Sequence, residues 1–171
     1  SKRVNAQTHS ARMTAILNAA LSSMTDAVYI SDGEGRALHF NDAFVTFHKF
    51  KARSECEIPL EGFTDFLEAT DITGTNLPLD RWAVPRALSG ETTDNLEITM
   101  RRKDTGEAWI ASYSFAPIRQ ADGQIVGAVV VVGQVKRFAI GADRDRTQPT
   151  VMRLGDRPLG VAFLAEIGRA T

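Results

Sequence analysis

The strongest pattern in the chain lies between Asn95 and Arg101. There Leu96, Ile98 and Met100 alternate with Glu97, Thr99 and Arg101, the period of two that marks a strand with one buried face. Lys103-Asp-Thr-Gly106 follows as a turn, 107–118 as a long strand, Ala121-Asp-Gly123 as a second turn, and 124–135, with its run of valines, as a third strand. Pro117 falls near the end of the middle strand, where a missing N–H is tolerated. Upstream, Ala27-Val-Tyr-Ile-Ser31 and Arg36-Ala-Leu-His-Phe40 flank Asp32-Gly-Glu-Gly35 and predict a hairpin. Hairpin and meander together predict an α+β domain with a five-stranded antiparallel sheet and helices over one face.

The helical period is clearest over 11–24, where Met13, Ile16, Leu17, Ala20, Leu21 and Met24 recur at three- and four-residue steps. Such a stripe can cover the domain's own sheet or pair with the same helix of a second subunit. Asn41-Asp42 can cap a short helix over 43–50. Residues 54–70 read as weakly helical, interrupted by Pro59 and Gly62, and 71–78 as a loop. A helix over 79–88 is shortened or kinked by Pro85 and closed by Gly90. Beyond the meander, 138–157 reads as polar linker with a short strand at 151–154, and 161–169 as a short helix. The chain thus divides into an N-terminal helical segment (1–25), a central domain (26–135) and a tail (136–171).

Composition narrows the function classes. The 171 residues are 43% hydrophobic and 24% charged, with a net charge of -1, so the basic excess of a nucleic-acid binder is missing. Arg101-Arg102-Lys103 and Lys136-Arg137 are short enough to be a solvated hairpin tip and strand end. A single cysteine, Cys56, permits neither an internal disulfide nor a multi-cysteine metal site, and fits a reducing cytoplasm. The longest apolar run, 127–133, is far short of the about 18–20 residues that span a bilayer, so no membrane contact is expected in this segment. The chain opens on Ser1-Lys2 instead of Met and reads as a piece of a longer protein, with Ser1 left from cloning and the output domain elsewhere.

Several short motifs occur in a definite order: 26–32 (DAVYISD), Gly35-Arg36, Asn41-Asp-Ala-Phe44, Pro85-Arg-Ala-Leu-Ser-Gly-Glu91, Arg102-Lys-Asp-Thr-Gly-Glu107, Ala116-Pro-Ile118 and Asp122-Gly-Gln-Ile-Val-Gly127. In that order and spacing the chain resembles the PAS sensory domain. The resemblance implies a sheet in the order 2-1-5-4-3, helices enclosing a cavity on one face, and an input or dimerising role in sensor kinases, cyclases or regulators. Two departures stand out. Gln134-Val-Lys136 occupies the exit position where the family often has Asp-Ile-Thr, and the hairpin at 103–106 is one residue longer than the common form. The longer hairpin shifts the register by one and turns Leu96, Ile98 and Met100 inward.

The light-sensing, flavin-binding branch would need an Asn-Cys-Arg-Phe-Leu-Gln motif where this chain has Phe63-Thr-Asp-Phe-Leu-Glu68, with Thr64 at the cysteine position. Haem-binding relatives take an axial His from the helix matching 79–88, which has none; His9, His39 and His48 read as surface or half-buried residues. Flavin and haem are therefore not expected. No His, Cys or carboxylate set has metal-ligand spacing, and Asp65 and Glu68 read as one solvated helix face. No nucleophile elbow, Cys–His pair or phosphate loop is present, so no enzyme activity is expected.

What remains is a small-molecule pocket. Trp109, Ala111, Tyr113 and Phe115 share one strand face, expected to point inward with Val129 and Val131 of the next strand, Ile98 of the previous one, and Tyr29 and Ser31 of the first. Phe44, Phe47, Phe63 and Trp82 would come from the covering helices, and Tyr29, Tyr113 and Trp109 would offer polar tips to a guest. The competing reading is a solid core. The sequence thus supports a sensory module that binds a small molecule or mediates homodimerisation through 11–24 and the exposed sheet face. A ligand-free protein–protein interaction module is the alternative, and an enzyme acting on a small hydrophobic substrate is third, with only Tyr29, Tyr113 and Ser31 as candidate groups.

Overall fold

The computed structural model describes residues 2–135 and the backbone of Arg137–Phe138 and Met152–Arg153. A long helix, α1 (Lys2–Ser23), leads into a hairpin of β1 (Ala27–Asp32) and β2 (Ala37–Phe40). The covering segment contains α2 (Asp42–Phe47), two 3₁₀ turns (Arg53–Cys56 and Leu60–Gly62), α3 (Phe63–Phe66), β3 (Leu67–Thr70), a further 3₁₀ turn (Leu79–Arg81) and α4 (Ala83–Leu88). The meander is β4 (Thr93–Arg102), β5 (Ala108–Arg119) and β6 (Ile125–Gln134). The sheet order is β2-β1-β6-β5-β4-β3, every pairing antiparallel. This is the expected order with one strand more, β3, at the edge beyond β4.

β3 replaces part of a stretch read as weakly helical. Four residues are too few to display a period of two against a helical background. Paired with β4, they put Leu67 and Ala69 inward, and Glu68 outward in an ion pair with Arg101. Asp65 and Glu68 therefore lie on different elements, not on one helix face. In α4, Pro85 falls in the first turn, where its missing N–H has no intrahelical acceptor to lose. Pro117 is inside a central strand, yet β4 begins at Thr93, opposite Phe115, so β5 has no β4 partner at Pro117. Gly127 leaves no room for a side chain between β6 and β1. A Cβ there would lie 2.2 Å from the backbone oxygen of Ser31.

The sheet buries its inner face and the central patch of its outer face. Tyr29, Ile98, Met100, Tyr113, Phe115, Val130 and Val132 face the covering helices. Val28, Val129, Val131 and Ala116 face the other way, onto Leu17, Leu21 and Met24 of α1 and the residue after it. The α1 stripe is thus split. Its last turn seals the outer sheet face, while Met13 and Ile16 stand exposed. Because α1 covers this outer patch, the patch is not the exposed face expected from the sequence.

Arg102 also departs from the sequence reading. Instead of a solvated hairpin tip, it is 2% exposed on the inner side of β4. Its Nε donates to Asp104 Oδ1 at 2.7 Å and its Nη1 to the Lys49 carbonyl at 2.9 Å, with Glu55 at 3.5 Å. The guanidinium lies 5.6 Å from the Phe66 ring and 5.8 Å from that of Phe50. It therefore clamps the β4–β5 turn to the loop after α2. The Arg102 and Lys51 charges, with the hydrogen bond from Arg102 foremost, hold the Asp104 carboxyl far below its usual range.

The tail is described only where Arg137–Phe138 (β7) pairs with Met152–Arg153 (β8), inside the region expected to hold a short strand at 151–154. The expected helix over 161–169 and most of the expected linker lie outside the described residues.

Besides the apolar packing of Leu17 and Leu21, one buried amide ties the end of α1 to the domain. Asn41 is 4% exposed and caps α2, its Oδ1 accepting from Phe44 N at 3.0 Å and from Val28 N at 3.0 Å. Its Nδ2 donates to the carbonyls of Asp26 at 2.9 Å and Leu21 at 3.2 Å. Replacing Asn41 by Ala removes the side-chain partner of Val28 N and of the Asp26 carbonyl, while the Leu21 carbonyl keeps Met24 N and Phe44 N keeps the backbone carbonyl of residue 41. It is expected to cost about 1–3 kcal/mol in urea unfolding. Asn41→Asp keeps the cap but loses both donors. It is expected to raise amide exchange in the last turn of α1 while α2 stays protected, as hydrogen-exchange mass spectrometry can check.

Candidate functional site

Between the inner sheet face and the covering helices lies a cavity of about 50 Å³. The sheet supplies its floor: Tyr29 from β1, Ile98 and Met100 from β4, Tyr113 from β5, Val130 from β6, and Leu67 and Ala69 from the edge strand. The roof comes from Phe44, His48, Leu60 and Phe63 on one side and from Trp82, Ala83 and Val84 on the other. The aromatic side of the roof is tightly coupled, with Phe44 5.1 Å from Tyr29 and 4.2 Å from the His48 ring.

Of the residues expected to form a pocket, Tyr29, Phe44, Phe63, Trp82, Ile98 and Tyr113 lie together on the wall. Ala111 and Ser31 are fully buried on the same inner face but away from the cavity. Ser31 Oγ turns to the Asp32 carbonyl at 3.0 Å. Phe47 and Trp109 meet edge to face at 6.4 Å at the margin of the core, also away from the wall. Val129, with Val131, faces the opposite side of the sheet. The reason is register. Tyr29 pairs with Val130, so the even-numbered valines share its face, and an unbroken valine run carries no alternation from which to read that parity. Sequence reasoning missed His48, Leu60, Leu67, Ala69, Ala83, Val84, Met100 and Val130. Two of these had a signal: His48 follows Phe44 by four residues, one helical turn, and Met100 shares the inward face of Ile98.

The polar atoms on the wall are turned away from the cavity or toward each other. Tyr29 Oη donates to the Gly35 carbonyl at 3.2 Å, and Trp82 Nε1 to the Leu77 carbonyl at 2.9 Å. Trp109 Nε1, the third expected polar tip, is buried without a hydrogen-bond partner. His48, read from the sequence as a surface or half-buried residue, is 3% exposed with both nitrogens engaged. Nδ1 lies 3.0 Å from the Phe44 carbonyl and Nε2 2.9 Å from Tyr113 Oη. A carbonyl can only accept, so Nδ1 carries the proton and Nε2 accepts from the tyrosine. Burial pulls the imidazole down to about 4, the Phe44 carbonyl opposing it only in part, and pushes the Tyr113 hydroxyl well above its ordinary range.

These walls do not fit a flavin or a haem. The cavity holds only a few heavy atoms, on the scale of about 10–15 Å³ per water-sized sphere. Thr64 gives its hydroxyl to the Glu61 carbonyl at 2.6 Å, and the His48 nitrogens are both occupied. Cys56 is buried off the wall, with its thiol pushed up to about 12 mainly by burial. Among the described residues no group of three His, Cys, Asp or Glu side chains is placed to hold a metal ion. No helix among them is long and apolar enough to cross a membrane.

The His48 geometry fixes a pH response. The folded imidazole binds its proton more weakly than the unfolded one, so unfolding takes up a proton and stability falls as pH drops below about 6.5. Between pH 6.5 and 5 the loss attributable to His48 is about 1.5 kcal/mol, a window above most carboxylate titration. Half-buried His39, also pulled down by burial, adds in the same direction. Chemical denaturation across this window is expected to show most of the slope removed in His48→Leu/Tyr113→Phe and kept in Tyr113→Phe alone.

No protein-family model matches the chain, and neither does any curated protein. Solved structures do. A chain of the E. coli DhaR(N)–DhaL complex is similar at a TM-score of 0.55 and 16% identity, over 78% of this chain and 40% of that one. An RNA-binding light-oxygen-voltage receptor is similar at 0.54 and 19%, over 73% of this chain and 34% of that one. The PAS domain of an HTR-like protein from Haloarcula marismortui is similar at 0.50 and 14%, over 79% of this chain and 100% of that one. The first two are matched over less than half their length, and at these identities the likeness speaks to the fold. A solved PAS domain is matched from end to end, with the expected sheet order kept, and the fold of this chain is accordingly that of a PAS-type domain.

Proposed function

We propose that this chain is a non-catalytic sensory module in which a small guest in the cavity alters how two copies associate through α1. The observation that carries the reading is Asn41. Its amide joins the last turn of α1 and the start of β1 to the N-terminus of α2, and Phe44 and His48 of that segment wall the cavity. A guest that shifts α2 by tenths of an ångström therefore acts on the hydrogen bonds that seat α1. Differential affinity for the two settings would shift their populations.

The helix that receives this input is suited to pairing. It runs for 22 residues, about 33 Å, and leaves Met13 and Ile16 exposed on its length. Entry and exit lie side by side, since Ala27 pairs with Val132 on neighbouring strands. A signal at α1 and one leaving after β6 would thus originate at one edge of the domain and reach an output domain in a longer signalling protein. A ligand-free, partner-binding module is the second reading, favoured by the likeness to a chain solved within a two-protein complex.

Light scattering on the full chain at roughly 100 μM is expected to give a dimer. Met13→Glu/Ile16→Glu is expected to weaken it at least tenfold, with the circular dichroism of the domain kept. A wild-type monomer at that concentration, or a dimer indifferent to the two substitutions, would sink the helix-pairing reading.

A further inference from the structure

We infer that the cavity selects uncharged, apolar molecules of a few heavy atoms and rejects ionised metabolites. The inference rests on the reading of the cavity as the input site and adds the class of guest. Three observations carry it. No Lys, Arg, Asp or Glu side chain lines the wall. The hydrogen-bonding atoms that do belong to it are already paired: Tyr29 with the Gly35 carbonyl, Trp82 with the Leu77 carbonyl, and His48 with the Phe44 carbonyl and Tyr113. The nearest buried cation, Arg102, does not reach the wall and spends its donors on Asp104, Glu55 and the Lys49 carbonyl.

The chemistry follows from those pairings. A carboxylate or ammonium entering this space would give up its hydration shell and meet no opposite charge and no free donor, a penalty no apolar contact repays. A neutral apolar guest loses nothing of that kind and gains dispersion contacts with Ile98, Val84, Val130 and Leu67. Met100 contributes an unbranched thioether that can move aside for guests larger than the resting volume.

Methyl NMR on the full chain with simple probes tests this at pH 7.5. Xenon and cyclopropane are expected to shift the Ile98, Val84 and Val130 methyls saturably, with acetate and methylammonium at equal concentration leaving them in place. Ala69→Ile fills the wall from β3 and is expected to weaken the apolar probes at least tenfold with the methyl spectrum still dispersed. Ala83→Leu, filling it from α4, gives the same readout if the first variant does not fold. Acetate binding as tightly as cyclopropane would overturn the guest class, as would unsaturable shifts from both apolar probes or unchanged binding in a folded filled variant. The sensory reading fails by a different measurement. A chain that binds xenon but shows no dimer through α1 keeps the guest class and loses the transmission route, and a dimer that ignores xenon and cyclopropane does the reverse.

Discussion

The geometry of this domain depends on the hydrogen bonds of a single buried amide. A helix that stops, a strand that starts and a second helix that begins converge at one point, and each brings a backbone group to the same side chain. Leu21 and Asp26 bring carbonyls, and Val28 and Phe44 bring N–H groups. Only an asparagine or glutamine side chain carries both donors and acceptor on one planar group, and asparagine has the length to cap α2 as well. The inner core, the seat of α1 and the position of Phe44 are consequently adjusted together.

Arg102 imposes a second constraint of the same kind at the other end of the sheet. Burying a guanidinium is costly unless its donors are met, and here the partners come from the β4–β5 turn, the loop after α2 and the first 3₁₀ turn. The two junctions fix both ends of α2, Asn41 at its N-terminus and Arg102 through the Lys49 carbonyl and Glu55 just past its C-terminus. From α3 to α4 the cavity side is held by apolar packing. A displacement of α2 would therefore be felt at both junctions.

The difference between what could and could not be read from the sequence follows from this layout. The meander was legible because Leu96, Ile98 and Met100 alternate strictly with polar neighbours. The side to which β6 turns each valine was not, because a strand buried on both faces loses its alternation and its parity comes only from pairing with Tyr29. β3 was lost because its four residues find their strand partner, β4, 29 to 35 positions later. Burial of Arg102 and His48 was lost because each is satisfied by groups far along the chain, the Lys49 carbonyl for one and Tyr113 for the other. Apart from Ile98, the cavity residues named correctly from sequence were aromatic, large enough to reach the centre from either layer. The smaller walls, Ala69, Ala83 and Val84, owe their place to where the backbone runs.

The edge strand β3 has a consequence for how copies of this domain can meet. An open strand edge is a template for a neighbour's strand, but here the chain folds back on itself. Leu77 N donates to the Ala69 carbonyl at 2.8 Å, and Asn76 bridges Thr70. The opposite edge, β2, is only four residues long and its pairing is broken by an irregularity beside Ser31. A sheet blunted at both margins resists continuous growth from one molecule to the next, which protects a valine-rich domain from fibril-like stacking.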